Sequence, residues 1–133
     1  MKSVHSGSML SENGRQGKIE ASEPSFSIDF TELRDGIALT PEHLFAGAYA
    51  ACYHSALLAA AERAHQTIIG STVIGTAQLN EDEHGGYELA FELRASLPGV
   101  SASEGEHLMH EAHRTCPYSK AVRQNIPVKL TLD

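Results

Sequence analysis

Residues 40–61 constrain the fold more than any other part of the chain. Thr40, Pro41 and Glu42 read as a helix start. Threonine suits the cap, proline's fixed φ suits the first helical position, and a carboxylate complements the positive end of the helix dipole. From Leu44 to Ala61 the residues are rich in alanine and apolar almost all round, with His54 interrupting. A helix without a polar stripe is one enclosed by other elements. Its length matches a membrane span, but its alanine-rich, histidine-containing composition points to a buried central helix of a water-soluble domain. Glu62, Arg63 and His65 mark its emergence into solvent.

Such a helix needs a shell, and the flanking segments supply one. Lys18–Phe30 partly alternates (Ile19, Ala21, Phe26, Ile28, Phe30), with Pro24 interrupting, and predicts one or two strands near a sheet edge. Ser6–Gly17 reads as loop or turn, and Arg34-Asp35-Gly36 as a turn. Thr72–Leu79 and Tyr87–Leu97 predict an antiparallel hairpin joined through Asn80–Gly86. In its second strand Leu89, Phe91, Leu93 and Ala95 share the dry face, while Glu88, Glu92, Arg94 and Ser96 share the wet one. Ser103 and Glu106 fit a capping box for a second helix carrying Leu108, Met109, Ala112 and Cys116. Pro117 breaks it, a short helical stretch runs to about Arg123, and Val128–Leu132 is a last strand. The order predicts an α+β fold.

The chain has 133 residues, which suits a single domain of the usual size, roughly 100–150 residues. Ten Lys and Arg against 17 Asp and Glu give a net charge of −7, which disfavours nucleic acid and anionic membrane surfaces as partners. Residues 1–10 contain no apolar stretch of the secretory kind. Two cysteines, Cys52 and Cys116, are too few for a secreted disulfide framework. In a reducing compartment such a pair is inert packing, metal-binding or transiently catalytic.

Cys52 lies mid-helix with Glu42, His43 and His54 on or beside the same helix. Cys116 directly precedes Pro117, at the mouth of a new helical turn, where backbone N–H groups favour thiolate. Three histidines, His107, His110 and His113, recur every third residue; an adjacent pair could supply two metal ligands, with Cys116 or a second chain adding others. The outer two differ by about 240° around the helix and cannot converge on one ion. Glu42 by itself is an ordinary first-turn acid, and Arg15, within Asn13-Gly14-Arg15-Gln16-Gly17, an ordinary loop arginine.

Two segments taken together add more. Thr40-Pro41-Glu42-His43-Leu44-Phe45-Ala46-Gly47-Ala48-Tyr49-Ala50-Ala51-Cys52 resembles the first cysteine motif of the OsmC/Ohr family of osmotically inducible and organic hydroperoxide resistance proteins. Cys116-Pro117-Tyr118-Ser119-Lys120-Ala121, followed by Asn125-Ile126-Pro127-Val128, resembles the second, and the separation of 116 − 52 = 64 residues fits as well. The resemblance implies antiparallel strands packed around a long buried central helix, in an intertwined homodimer. It implies a cytoplasmic, cofactor-free thiol peroxidase acting on organic hydroperoxides, re-reduced by a lipoylated protein, dihydrolipoamide or another dithiol. Cys52 would be the peroxidatic residue, Cys116 the resolving one, Arg15 the catalytic arginine and Glu42 the acid that orients it. An apolar pocket lined by Phe45, Tyr49 and Met109 would take a fatty or aryl peroxide.

Phe45, Tyr49 and Tyr118 resemble the hydroperoxide-resistance branch, whereas Ser119-Lys120 leans toward the osmotically inducible one. Arg34, nearer the first helix, is the arginine that the second branch would use. A general peroxidase of that second branch, and a non-catalytic metal-binding dimer built on the histidine-rich helix, are the competing readings.

Overall fold

The computed structural model describes residues 1–133. The chain divides into two compact units, Met1–Pro41 and Glu42–Asp133.

In the first unit, β1 (Leu10–Glu12), β2 (Lys18–Ser22) and β3 (Ser25–Asp29) form an antiparallel sheet in that order. Residues 18–30 therefore hold two strands, as the alternation predicts, and Pro24 sits in the tight turn between them. The expectation of loop or turn over 6–17 is corrected at β1, which pairs Leu10 with Glu20. Three residues are too few to show a period of two, so β1 left no pattern to read. Between β1 and β2 the chain makes a 3₁₀ turn, Gly14–Gln16, entered through Asn13 at φ 60°. Strands β4 (Leu33–Arg34) and β5 (Ile37–Ala38) form a hairpin over Asp35 (φ 52°) and Gly36 (φ 77°), the Asp-Gly chemistry that such a two-residue turn selects.

Helix α1 (Pro41–Arg63) has its proline at the first position and, from Glu42 on, belongs to the second unit. Strands β6 (Thr72–Glu81) and β7 (Tyr87–Ser96) pair antiparallel from Thr72–Ser96 to Glu81–Tyr87. Asp82 organises the connection, its carboxylate accepting from the backbone N–H groups of His84 and Gly86. Helices α2 (Ala102–Thr115) and α3 (Pro117–Val122) lead to β8 (Val128–Leu132). This strand runs parallel to β7, so the sheet is mixed rather than wholly antiparallel. The route through α2 and α3 is the long crossover a parallel pair requires. The cap of α2 is also corrected: Ser101, not Ser103, accepts from the Glu104 N–H at 3.2 Å, using the same Ser-x-x-Glu pattern two residues earlier.

One face of α1 (Tyr49, Tyr53, Leu57, Ala60, Ala61) joins Phe91, Leu93, Ala95, Leu108, Met109 and Ala112 in a single buried cluster. The dry face of β7 is the one the alternation names. Gly75 on β6 permits the close packing, because a Cβ there would stand 2.6 Å from the Ala46 carbonyl oxygen. Two expectations about α1 are corrected. By length and composition it could cross a membrane, so its packing rather than its hydropathy marks it as a core helix. It is also not enclosed all round, since Gly47, Ala48, Ala51, Ser55 and Leu58 are exposed in the single chain.

Candidate active site

Cys52 and Cys116 reach the same point from different elements. Cys52 lies one helical turn beyond Tyr49 on the packed side of α1. Cys116 is the junction residue that ends α2 and starts α3: its N–H closes onto the Ala112 carbonyl, and its own carbonyl accepts from Lys120. Pro117 forces that junction, because a proline in the interior of a continuous helix would clash with the preceding turn. The two thiols are free, and their sulfur atoms stand 3.7 Å apart. A disulfide bond is about 2.05 Å long, so closing it needs a movement of under about 2 Å. Cys116 is completely buried, whereas Cys52 is half-buried and is the sulfur that a reagent from solvent can meet.

Burial pushes the Cys52 thiol above its ordinary value, and the neighbouring Cys116 pushes the same way. The Tyr118 backbone N–H opposes both. The first turn of α3 thus acts on Cys52. A thiol desolvated in this way needs a further positive group to become a thiolate at neutral pH.

Beside the thiols is an aromatic cluster. Tyr49 stacks on Phe91 with ring centres 4.5 Å apart; Phe45 lies 5.4 Å from Phe91, and Tyr118 6.0 Å from Tyr49. Tyr49 is fully buried, so it backs this wall, while Phe45 and Tyr118 present the accessible edges. Met109 belongs to the core instead: it is 2 % exposed and its carbonyl accepts the Tyr53 hydroxyl. Glu42 stands in the first turn of α1, Arg15 in the 3₁₀ turn of the first unit and Arg34 on β4.

Phe91, Ser119 and His113 are site neighbours that the sequence reading did not single out for that role. Ser119, completely buried, hydrogen-bonds to the Tyr49 hydroxyl at 2.6 Å and to His113 Nδ1 at 2.8 Å. The usable signal was spacing, since His113 and Ser119 each lie three residues, about one turn, from Cys116. His113 is therefore not a solvated member of the histidine row. Its Nδ1 is committed to Ser119, and no group of three or more His, Cys, Asp or Glu gathers as a metal would require.

Burial first, then Arg123 and His110, hold the His113 imidazole below its ordinary value of 6.5. Folding thus favours the neutral ring. Its contribution to stability is complete above 6.5 and shrinks as pH falls below it. The melting-temperature advantage of wild type over His113→Leu is expected to narrow between about pH 7.5 and about pH 5.5. A difference independent of pH contradicts this.

The OsmC-like protein family model matches residues 34–131. The organic hydroperoxide resistance protein of Xanthomonas axonopodis pv. citri is 35% identical over 124 residues, covering 90% of this chain and 87% of the relative. OhrA of Bacillus subtilis is 37% identical over 123 residues, covering 88% and 87%. The crystal structure of Bacillus subtilis OhrB superposes with a TM-score of 0.88 at 30% identity, over 98% of this chain and 100% of that one. An organic hydroperoxide resistance protein from Elizabethkingia anophelis, with thiocyanate bound, superposes at 0.87 and 33% identity, over 100% and 99%. With both cysteine motifs in place and this likeness over nearly its whole length, the chain belongs to the OsmC family, in its organic hydroperoxide resistance branch.

Proposed function

We propose that the protein is a thiol peroxidase that detoxifies organic hydroperoxides by reducing them to alcohols. The observation that carries this reading is the 3.7 Å approach of two free thiols 64 residues apart, one of them accessible, beside an aromatic wall. The Cys52 thiolate attacks the terminal peroxide oxygen, the O–O bond breaks, and the alkoxide leaves as alcohol on taking a proton. Cys52 is then a sulfenic acid. The Cys116 thiol displaces its hydroxyl as water, forming the Cys52–Cys116 disulfide. A dithiol, a lipoylated protein or dihydrolipoamide, returns two electrons and two protons, so the cycle needs no cofactor.

Arg15 and Glu42 complete the scheme on the strength of the family motif. A guanidinium supplies the positive charge that desolvated Cys52 needs, and a carboxylate fixes such a group through paired hydrogen bonds. Phe45 and Tyr118 offer apolar surface to a fatty or aryl group, with Tyr49 behind them. A reducing cytoplasm suits two cysteines that must start as thiols. Turnover of cumene hydroperoxide with dihydrolipoamide tests the reading: sustained oxidation of the dithiol supports it, and no turnover above the protein-free rate refutes it.

The whole chain is proposed to act as one domain in a homodimer. The support is the apolar stripe Ala48, Ala51 and Leu58 on α1, which one chain leaves open to water, with Leu58 43% exposed. Sedimentation is expected to give twice 14.3 kDa, and Leu58→Glu to shift the protein toward monomer. A wild-type monomer at micromolar concentration contradicts it.

A further inference from the structure

The hydrogen bonds behind the two thiols tie together the elements that carry them. Tyr49 stands one turn before Cys52 on α1, Ser119 one turn after Cys116 on α3, and His113 one turn before Cys116 on α2. The Tyr49 hydroxyl and His113 Nδ1 both bond the Ser119 hydroxyl, at 2.6 and 2.8 Å, so one oxygen joins all three helices. The corner is braced again by Arg123, which donates to the His113 and Arg114 carbonyls at the end of α2.

Counting protons settles the direction of the chain. Tyr49 and Ser119 are both fully buried, so neither hydroxyl proton has water as a partner. Two bonds accommodate two protons only if Tyr49 donates to Ser119 and Ser119 donates to an unprotonated Nδ1. A proton on Nδ1 would leave one buried hydroxyl proton unpaired, which is costly. The ring is thus the tautomer with its proton on Nε2, acting as the terminal acceptor.

We propose that His113 is a positioning residue for the resolving step, holding Ser119 and through it the α2–α3 junction so that Cys116 stays within reach of oxidised Cys52. This rests on the peroxidase reading above. Attack on peroxide needs only Cys52 and its immediate surroundings. Disulfide closure also needs Cys116 to be held where the remaining gap can be crossed, and the bridge bears on that geometry. Slow closure leaves the sulfenic acid exposed to a second peroxide and conversion to sulfinic acid.

The test measures the two steps separately in the full chain, after one equivalent of cumene hydroperoxide. Sulfenic acid is trapped with dimedone, and disulfide is quantified by mass spectrometry after rapid quenching. His113→Leu is expected to form sulfenic acid within about twofold of the wild-type rate. It is expected to close the disulfide roughly tenfold more slowly, the scale of one orphaned buried hydroxyl, and to accumulate more sulfinic acid when a second equivalent of peroxide is added. Ser119→Ala should behave similarly. His113→Asn, whose amide presents an acceptor near the position of Nδ1, should recover closure to within about threefold of wild type. Unchanged closure in His113→Leu, equal slowing of both steps, or no recovery in His113→Asn each overturns the proposal. Wild type that forms neither sulfenic acid nor disulfide overturns the peroxidase reading itself.

Discussion

Cys52→Ser is expected to lose hydroperoxide turnover by on the order of 10³-fold or more, down to the protein-free rate. A serine hydroxyl is almost wholly protonated at neutral pH and is a poor nucleophile toward peroxide oxygen, whereas a thiolate is a strong one. The loss should leave the fold intact, since Cys52 is half-buried and serine is nearly its size. Cys116→Ser separates the roles. It should consume one equivalent of peroxide to reach sulfenic acid and, with peroxide in excess, a second to reach sulfinic acid. Steady-state assays with cumene hydroperoxide and dihydrolipoamide, paired with mass spectrometry of the spent protein, check both. Equal turnover by Cys52→Ser and wild type would contradict the assignment.

The second large effect concerns the cation. Burial and Cys116 both push Cys52 toward its protonated form, and the Tyr118 N–H works against them. A fixed guanidinium reverses this balance, and removing a preorganised charge of that kind costs about 10²-fold or more. Arg15→Ala is expected to show that loss in kcat/KM, with the pH of half-maximal activity moving upward as thiolate becomes harder to form. Arg34→Ala should change activity far less. Both arginines are exposed in the chain, Arg34 on a two-residue strand beside a tight turn and Arg15 in a 3₁₀ turn; the Gly-Arg-x-Gly setting of Arg15 is what favours it. A greater loss from Arg34→Ala reassigns the role.

How much was legible varied with how local the governing physics is. The start of α1 is readable because Thr-Pro-Glu is a local signal, and β7 because only Ala90 breaks its alternation over ten residues. The cap of α2 was missed by two residues because Ser101-Ala102-Ser103-Glu104 and Ser103-Glu104-Gly105-Glu106 both satisfy the same pattern. The chain resolves the tie by placing Ser101 at the extended residue ahead of the helix. The parallel placement of β8 depends on a crossover of two helices, which no local pattern announces, although the distance from Ser96 to Val128 leaves room for one. The all-round apolar character of α1 predicts burial on every side; the structure buries one side and leaves Leu58 and its neighbours open.

For the site, the two cysteines and Phe45 were legible because they sit in motifs. The Tyr49–Ser119–His113 bridge was not, because Tyr49 and Ser119 are 70 residues apart and meet only through tertiary packing. The apolar character of Met109 suits a pocket lining and a core equally, and the structure puts it in the core. His113 shows the converse. On helical periodicity it belongs to a polar row with His107 and His110, yet the turn at Pro117 folds α3 back and half-buries it.

The most direct test of the whole account is the mass of the intact protein before and after one equivalent of cumene hydroperoxide, with peptide mapping of the product. The account predicts a loss of two hydrogen atoms, complete conversion, and a single cross-linked peptide pair joining Cys52 to Cys116. Two unmodified thiols in the presence of unconsumed peroxide would contradict it.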